Sequence, residues 1–366
     1  TAFMGDAVLT VPALRRLKER FAPEVLDVVV RPEFAGLLQR EGFSVIEDDK
    51  RGKTKGIAGF FTMLRTLKNG RYDLALGAQR SWRTSLLAYL AGIPVRVGFA
   101  SAGGAFLWTK QVPFVWSEHD SDRNIRLVEA LGAPRAPGAD GSPWRLSLGG
   151  HEAAHAKEIY RENGFDVDND FIVGMAAGSV WPTKRWPAER FAALAAALHA
   201  WQPPSPEARG TLDPPEAGPR QPRCRVALMG GPAERAVSAR IAALSKVEVV
   251  DLCGRLSIGE LPAVIAGMKL FISNDSGPMH IAWGLGVPTV AIFGPTVKGF
   301  GFYPKGAHAR VVEVGDLRCR PCGLHGSKRC PHGHFLCMEL IGVESVLAAC
   351  KEAFRAHQDA RDQSPK

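Results

Sequence analysis

Nothing in this chain of 366 residues reads as a membrane span. The longest candidate, Ile281 to Val297, carries no charge but is broken by three Gly and two Pro into helix, turn and strand. No signal-peptide pattern is visible. No G-x-x-x-x-G-K-[ST] spacing occurs, so no stretch reads as a Walker loop. No G-x-G-x-x-G turn opens either half, which disfavours a nicotinamide or flavin cofactor. Acidic residues are in deficit: 37 Asp and Glu face 46 Lys and Arg, for a net charge of +9. Such an excess suits an anionic partner such as a nucleotide, a phosphorylated glycolipid, a membrane surface or nucleic acid, without choosing among them.

Hydrophobic residues make up 46% of the chain and charged ones 23%. Apolar material on that scale exceeds one ordinary core, so two domains are expected. Short β-branched runs alternate with helical patterns of 10 to 15 residues. Val25 to Val30, Phe43 to Ile46, "YDLALG" and "VRVGF" read as strands of a first half. After "SPWRLSL" the pattern restarts with "FIVGMAAG", "RVALMGG", "VEVVDLCG" and "KLFISN" as strands. This alternation predicts βαβ units and mostly parallel sheets. The expectation is an α/β protein of two Rossmann-like domains, residues 1–150 and 151–366, facing a cleft. Residues 202–223, rich in Pro, Gly and charge, read as a disordered surface insertion. The polar end from about His357 is expected to fray. The chain opens at Thr1 on a loop leading into a helix. That opening suggests a first strand upstream, whose place would be an apolar groove beside Val25 to Val30.

The stretch "SNDSGPMHIAWGLGVPTVAIFG" sets Asn274, Asp275, Ser276, Gly277 and Pro278 where a buried strand ends and a helix begins. Free N–H groups and the positive dipole end make such a junction suited to phosphate. The same residue types also make an ordinary N-cap. A second junction, "AAGSVWPTKRWPAERF", puts Lys184 in a loop with Gly178, Ser179 and Thr183, a cation placed for a diphosphate. Pro187 is expected at the first position of the following helix. "DVDND" at 166–170 has the D-x-D spacing of metal-dependent transferases, but it precedes a strand and reads as a solvated turn.

These stretches, with "MGDAVLTVPALRRL" near the start and "YLAGIPVRVGF", resemble glycosyltransferase family 9, the ADP-heptose:lipopolysaccharide heptosyltransferases. The heptosyltransferase II branch fits best, because it often carries cysteines after the last motif. The resemblance implies a GT-B fold and an inverting transfer of heptose from ADP-heptose to the inner core of lipopolysaccharide. It implies no cofactor and no metal for catalysis. It further implies a cytoplasmic enzyme in peripheral contact with the inner membrane surface, with no nucleic-acid partner. Position by position, Asp6 matches the family's proposed base and Lys184 the lysine at the donor phosphates, with Ser179 and Thr183 beside it. Asp275, Ser276, Gly277 and His280 match the donor-site motif, and Glu234 an acid near the donor ribose. A nucleotide-sugar epimerase, or a transferase with another donor, fits the same two-domain plan. A basic nucleic-acid-binding protein is the non-enzymatic alternative.

The basic loop "DDKRGKTKGIAGFF" offers Lys53 and Lys55, and Arg80 and Arg83 follow, as contacts for an anionic acceptor. In "CRPCGLHGSKRCPHGHFLC", Cys319 and Cys322 have metal-knuckle spacing, whereas Cys330 and Cys337 stand too far apart for it. Reduced thiols, a structural zinc and disulfides all remain open for these four.

Overall fold

The computed structural model describes residues 3–50, 52–132, 144–201 and 223–363. The expected insertion at 202–223 lies outside these, apart from Arg223. The chain divides into two compact units. One is Thr1–Leu146 with Gly299–Phe302; the other is Ser147–Lys298 with Tyr303–Lys366.

The first unit runs α1 (Met4–Phe21), β1 (Asp27–Val30), α2 (Pro32–Arg40), β2 (Ser44–Glu47), α3 (Gly56–Asn69), β3 (Leu74–Gly77), α4 (Trp82–Leu90), β4 (Val95–Phe99), β5 (Lys110–Val112) and α5 (Asp120–Glu129). Pro12 lies inside α1 and is buried, so the helix neither starts there nor ends there. Ala13 and Leu17 of α1 close on Val128 of α5. All strand pairs are parallel, but they form two sheets, β1-β2 and β3-β4-β5. A cavity of about 600 Å³ is lined by both β1 and β3, through Val28, Val30, Leu74 and Leu76, and by Leu14 and Leu17 of α1.

The second unit runs α6 (Gly150–Glu162), β6 (Phe171–Ala176), α7 (Ala188–Ala200), β7 (Cys224–Leu228), α8 (Arg235–Leu244), β8 (Val249–Asp251), α9 (Leu261–Ala266), β9 (Leu270–Asn274), α10 (Gly277–Leu285), β10 (Thr289–Phe293), β11 (Ala309–Glu313), α11 (Leu336–Glu339) and α12 (Val343–Asp362). Pro187 sits at the N-cap of α7, one position before its expected place. The six strands form one parallel sheet in the order β11-β10-β9-β6-β7-β8. Counted from β6 as the first strand, this is the 3-2-1-4-5-6 arrangement of dinucleotide-binding sheets, and its order reverses between β6 and β9. Every residue of β6, β9 and β10 is buried. That is why these strands read as unbroken apolar runs: helices cover a parallel sheet on both faces. Phe171, Val173 and Met175 face α7 and α12 in the main core.

The C-terminal segment is helical to Asp362 rather than frayed from His357. Val346, Cys350, Ala353 and Phe354 form a buried stripe along α12, and the Phe354 ring packs edge-on against Phe171 at 4.9 Å. Burial of that stripe overrides the polar composition of the helix's last turns.

Candidate active site

In open parallel sheets the C-terminal ends of the strands at the reversal point form the ligand-binding edge. Here the loops after β6 and β9 meet at that point. Asn274, fully buried at the end of β9, ties the two together. Its Nδ2 donates to the Ala177 carbonyl at 2.7 Å, and its Oδ1 accepts the Trp186 N–H at 3.1 Å. The amide thus fixes both ends of the 177–186 loop.

Between those anchors the chain makes a 3₁₀ turn, Pro182–Lys184. It delivers the Lys184 Nζ to within 2.6 Å of the Asp275 Oδ2. The Thr296 hydroxyl, in the turn after β10, donates to the same oxygen at 2.6 Å. Lys184, Asp275 and Thr296 are all buried. An ammonium has three donors, so Lys184 keeps capacity beyond this ion pair for an anionic ligand. Thr296 ends the same stretch that opens at Ser273, "SNDSGPMHIAWGLGVPTVAIFGPT", but nothing in its spacing gives it a role; the fold turns its hydroxyl onto Asp275.

Ser276 caps α10 with extended backbone and no side-chain cap bond, and its hydroxyl lies 3.0 Å from that of Ser273. Gly277 opens the helix. His280, in the first turn, is buried, and its Nδ1 has no hydrogen-bond partner. Burial pushes the imidazole down to about 4. The Asp275 carboxylate opposes this, and the Lys184 ammonium adds to it. The ring is therefore neutral at pH 7.

The Ser179 carbonyl accepts two bonds from the Arg185 guanidinium, at 2.9 and 2.7 Å. Thr183 is engaged by a distant segment: its hydroxyl donates to the Ser327 carbonyl and accepts the Ser327 N–H, both at 2.8 Å. Glu234 accepts the Gly231 N–H at 2.8 Å and leans over Gly178, where a Cβ would fall 2.1 Å from the Glu234 Cγ. Glycine at 178 is what lets the acid lie beside the β6 loop. The structure thus gathers Ser179, Thr183, Lys184, Glu234, Asp275, Ser276, Gly277 and His280 at one edge of one sheet. Asp166 to Asp170 lie before β6, away from that edge. There Asp166 closes a turn by accepting the N–H groups of Asp168 and Asn169.

The remaining candidates belong to the first unit. Asp6 stands in the first turn of α1, behind Phe3 at the cap, and its carbonyl accepts the Thr10 hydroxyl at 2.7 Å. Arg83 donates to the buried Asp48 at 3.0 Å, and Thr54 donates to the same oxygen at 2.8 Å. Arg80 stacks on Phe114 and Trp116, 4.1 and 4.8 Å from their ring centres. Lys53 and Lys55 are exposed.

Cys319, Cys322, Cys330 and Cys337 are free thiols. Among the described residues no group of three or more His, Cys, Asp or Glu side chains is arranged to hold a metal ion. Burial pushes Cys337 up to about 11. Cys330 is different: burial pushes its thiol up, but four backbone N–H groups, from Phe335, His332, Gly333 and His334, pull it below the usual value. No helix among the described residues is long and apolar enough to cross a membrane.

Residues 60–203 and 219–331 match the model of glycosyltransferase family 9 (heptosyltransferase). The chain is 25% identical over 313 residues to lipopolysaccharide heptosyltransferase 3 of Escherichia coli, covering 80% of this chain and 82% of that one. A glycosyltransferase family 9 crystal structure from Veillonella parvula superposes with a TM-score of 0.79 at 25% identity, covering 96% of this chain and 94% of that one. The structure of E. coli ADP-heptose lps heptosyltransferase II shares the fold, with a TM-score of 0.72, 21% identity and 98% of each chain covered. Two α/β units with parallel sheets are the GT-B plan of these proteins.

Proposed function

The chain belongs to glycosyltransferase family 9, and on that premise we propose that it transfers heptose from ADP-heptose to the inner core of lipopolysaccharide, with inversion at the anomeric carbon. One observation carries the assignment of the donor end: the buried Lys184–Asp275–Thr296 cluster at the reversal point of the second unit's sheet, beside the N-terminus of α10.

Transfer from a nucleoside diphosphate breaks the bond between the sugar carbon and the β-phosphate oxygen. Negative charge grows on that oxygen as ADP leaves. Asp275 orients Lys184, and Thr296 orients Asp275. The lysine's remaining protons and the first N–H groups of α10 then stabilise the leaving diphosphate, preorganised where water would need to reorganise. The neutral His280 adds a donor or acceptor without adding charge to the site. Glu234 is suited to the ribose hydroxyls, since acids after the second strand of such sheets take that role. The second unit, 151–366 in the sequence division, is thus assigned to the donor and the first, 1–150, to the acceptor.

Asp6 is assigned as the base that takes the proton of the acceptor hydroxyl. In an inverting transfer one base suffices and no covalent intermediate forms. Arg80, Arg83, Lys53 and Lys55 are assigned to the phosphorylated acceptor. Of these, Arg80 and Arg83 are held in place, by aromatic rings and by Asp48, and the two lysines are free to adapt. The enzyme is assigned to the cytoplasmic face of the inner membrane, where such an acceptor presents its sugar, without need of a catalytic metal.

Nucleotide selectivity tests the donor assignment. Calorimetry is expected to show ADP binding that UDP does not match. Equal or tighter binding of UDP would move the chain to a different donor.

A further inference from the structure

The cysteine-rich stretch after β11 touches both partners of Asp275. We propose that its residues Arg320 to Ser327 are positioning elements of the donor site, holding Lys184 from one side and Thr296 from the other. This rests on the reading of Lys184 given above.

The Lys184 side is held through Gly326 and Ser327. Ser327 exchanges two hydrogen bonds with the Thr183 hydroxyl, both at 2.8 Å, so the 3₁₀ turn cannot shift without breaking them. Gly326 has φ +81, and a Cβ there would sit 3.2 Å from the Lys184 Cγ, the Thr183 Oγ1 and the Trp181 Cβ. The backbone of Gly326 thus lies against the stem of the lysine. A side chain there would have to push those atoms aside by a few tenths of an ångström and would strain the backbone at that angle.

The Thr296 side is held through Arg320 and Cys322. The Arg320 Nη2 donates to the Thr296 carbonyl at 2.9 Å and to the Glu313 carboxylate at 2.7 Å, and the Arg320 side chain is almost fully buried. The Cys322 N–H donates to the Pro295 carbonyl at 3.0 Å. These bonds fix the turn from which the Thr296 hydroxyl reaches Asp275. Further along the chain, beyond that stretch, Met338 packs where a Cβ on Gly294 would stand, and Trp186 Nε1 donates to the Ile341 carbonyl at 3.1 Å. The segment therefore braces the β6 loop and the β10 turn at once. Loss of the brace would leave Lys184 in the site but misplaced, and small misplacements of a charged group cost much of its effect.

The test uses the full chain, with ADP as the probe, read by calorimetry beside a thermal melt of the same sample. Gly326→Ala is expected to weaken ADP binding about 10-fold or more while the protein stays folded. Arg320→Lys, approaching from the opposite side, should weaken it in the same direction. A purely structural role would lower the melting temperature and leave the affinity of folded protein unchanged. In a Lys184→Ala background, Gly326→Ala should cause no further loss, because the residue acts through the lysine. Folded Gly326→Ala and Arg320→Lys proteins that bind ADP as tightly as the wild type overturn the proposal, as does a full further loss in the Lys184→Ala background. A wild-type chain that binds no ADP overturns the functional reading and this proposal with it.

Discussion

The Lys184 ammonium and the Asp275 carboxylate lie 2.6 Å apart although 91 positions separate them in the chain, and both side chains are buried. A buried ion pair of this kind adds little net stability, since desolvation offsets most of the attraction. Removing one partner is costly, because the other is left buried and uncompensated. The pair is therefore better explained by what it orients than by what it stabilises.

Lys184→Ala is expected to destabilise the second unit by about 3 kcal/mol or more. It should also slow transfer and weaken ADP binding by on the order of 10²-fold. Urea unfolding and calorimetry on the same preparation check both halves. Unchanged ADP affinity and turnover would remove Lys184 from the site.

Thr296→Val keeps the shape of the side chain and deletes the donor to Asp275. The expected loss is about 1–3 kcal/mol, with weaker ADP binding, because the carboxylate then rests on Lys184 alone. Thr296→Ser should recover both. A valine variant with wild-type affinity and unfolding midpoint would show that the hydroxyl does not hold Asp275 in place.

His280 gives stability a defined pH dependence. Its folded value is pushed down to about 4 from 6.5, chiefly by burial. Between those values the unfolded chain binds the proton and the folded chain does not. This contribution to stability is therefore complete above pH 6.5 and falls as the pH drops toward 4, by about 3 kcal/mol over the window. His280→Gln should flatten that part of the profile, measured as urea midpoints from pH 7 to 4.5. Parallel profiles for the two proteins would contradict the assignment.

Asp6 stands in the first turn of α1, and Phe3 occupies the cap position without a side-chain cap bond. Asp6→Asn keeps size and hydrogen-bonding capacity but cannot take a proton. Turnover is expected to fall roughly 10²- to 10⁴-fold with ADP affinity and melting temperature retained. A fully active Asp6→Asn enzyme would end the assignment of Asp6 as base.

Much of the second unit was legible in the sequence. "FIVGMAAG", "KLFISN" and "PTVAIFG" are continuous apolar runs because helices bury both faces of the sheet, and Gly and Pro mark their ends. Lys184 and Asp275 could be singled out because each follows such a run at the start of a helix. What joins them could not be read. Thr296 and Ser327 act by long-range contacts that no local spacing encodes. Arg123, on α5, lies in no stretch that the sequence marks out. In the structure it is wholly buried, with Nη2 donating to the carbonyls of Trp116 and Phe300 at 2.7 Å each. β5 was missed because Lys110–Val112 is three residues long with a single buried position. The last turns of α12 were misjudged because their anchor, the stripe ending at Phe354, lies one to two turns upstream.

Heptose transfer from ADP-heptose can be read in a single mass-spectrometric experiment. The full chain is incubated with ADP-heptose and a defined inner-core acceptor, and the masses of acceptor and nucleotide are read together. The expected result is an acceptor heavier by one heptosyl residue and an equal amount of released ADP. An unchanged acceptor, with ADP-heptose intact or rearranged, would contradict it.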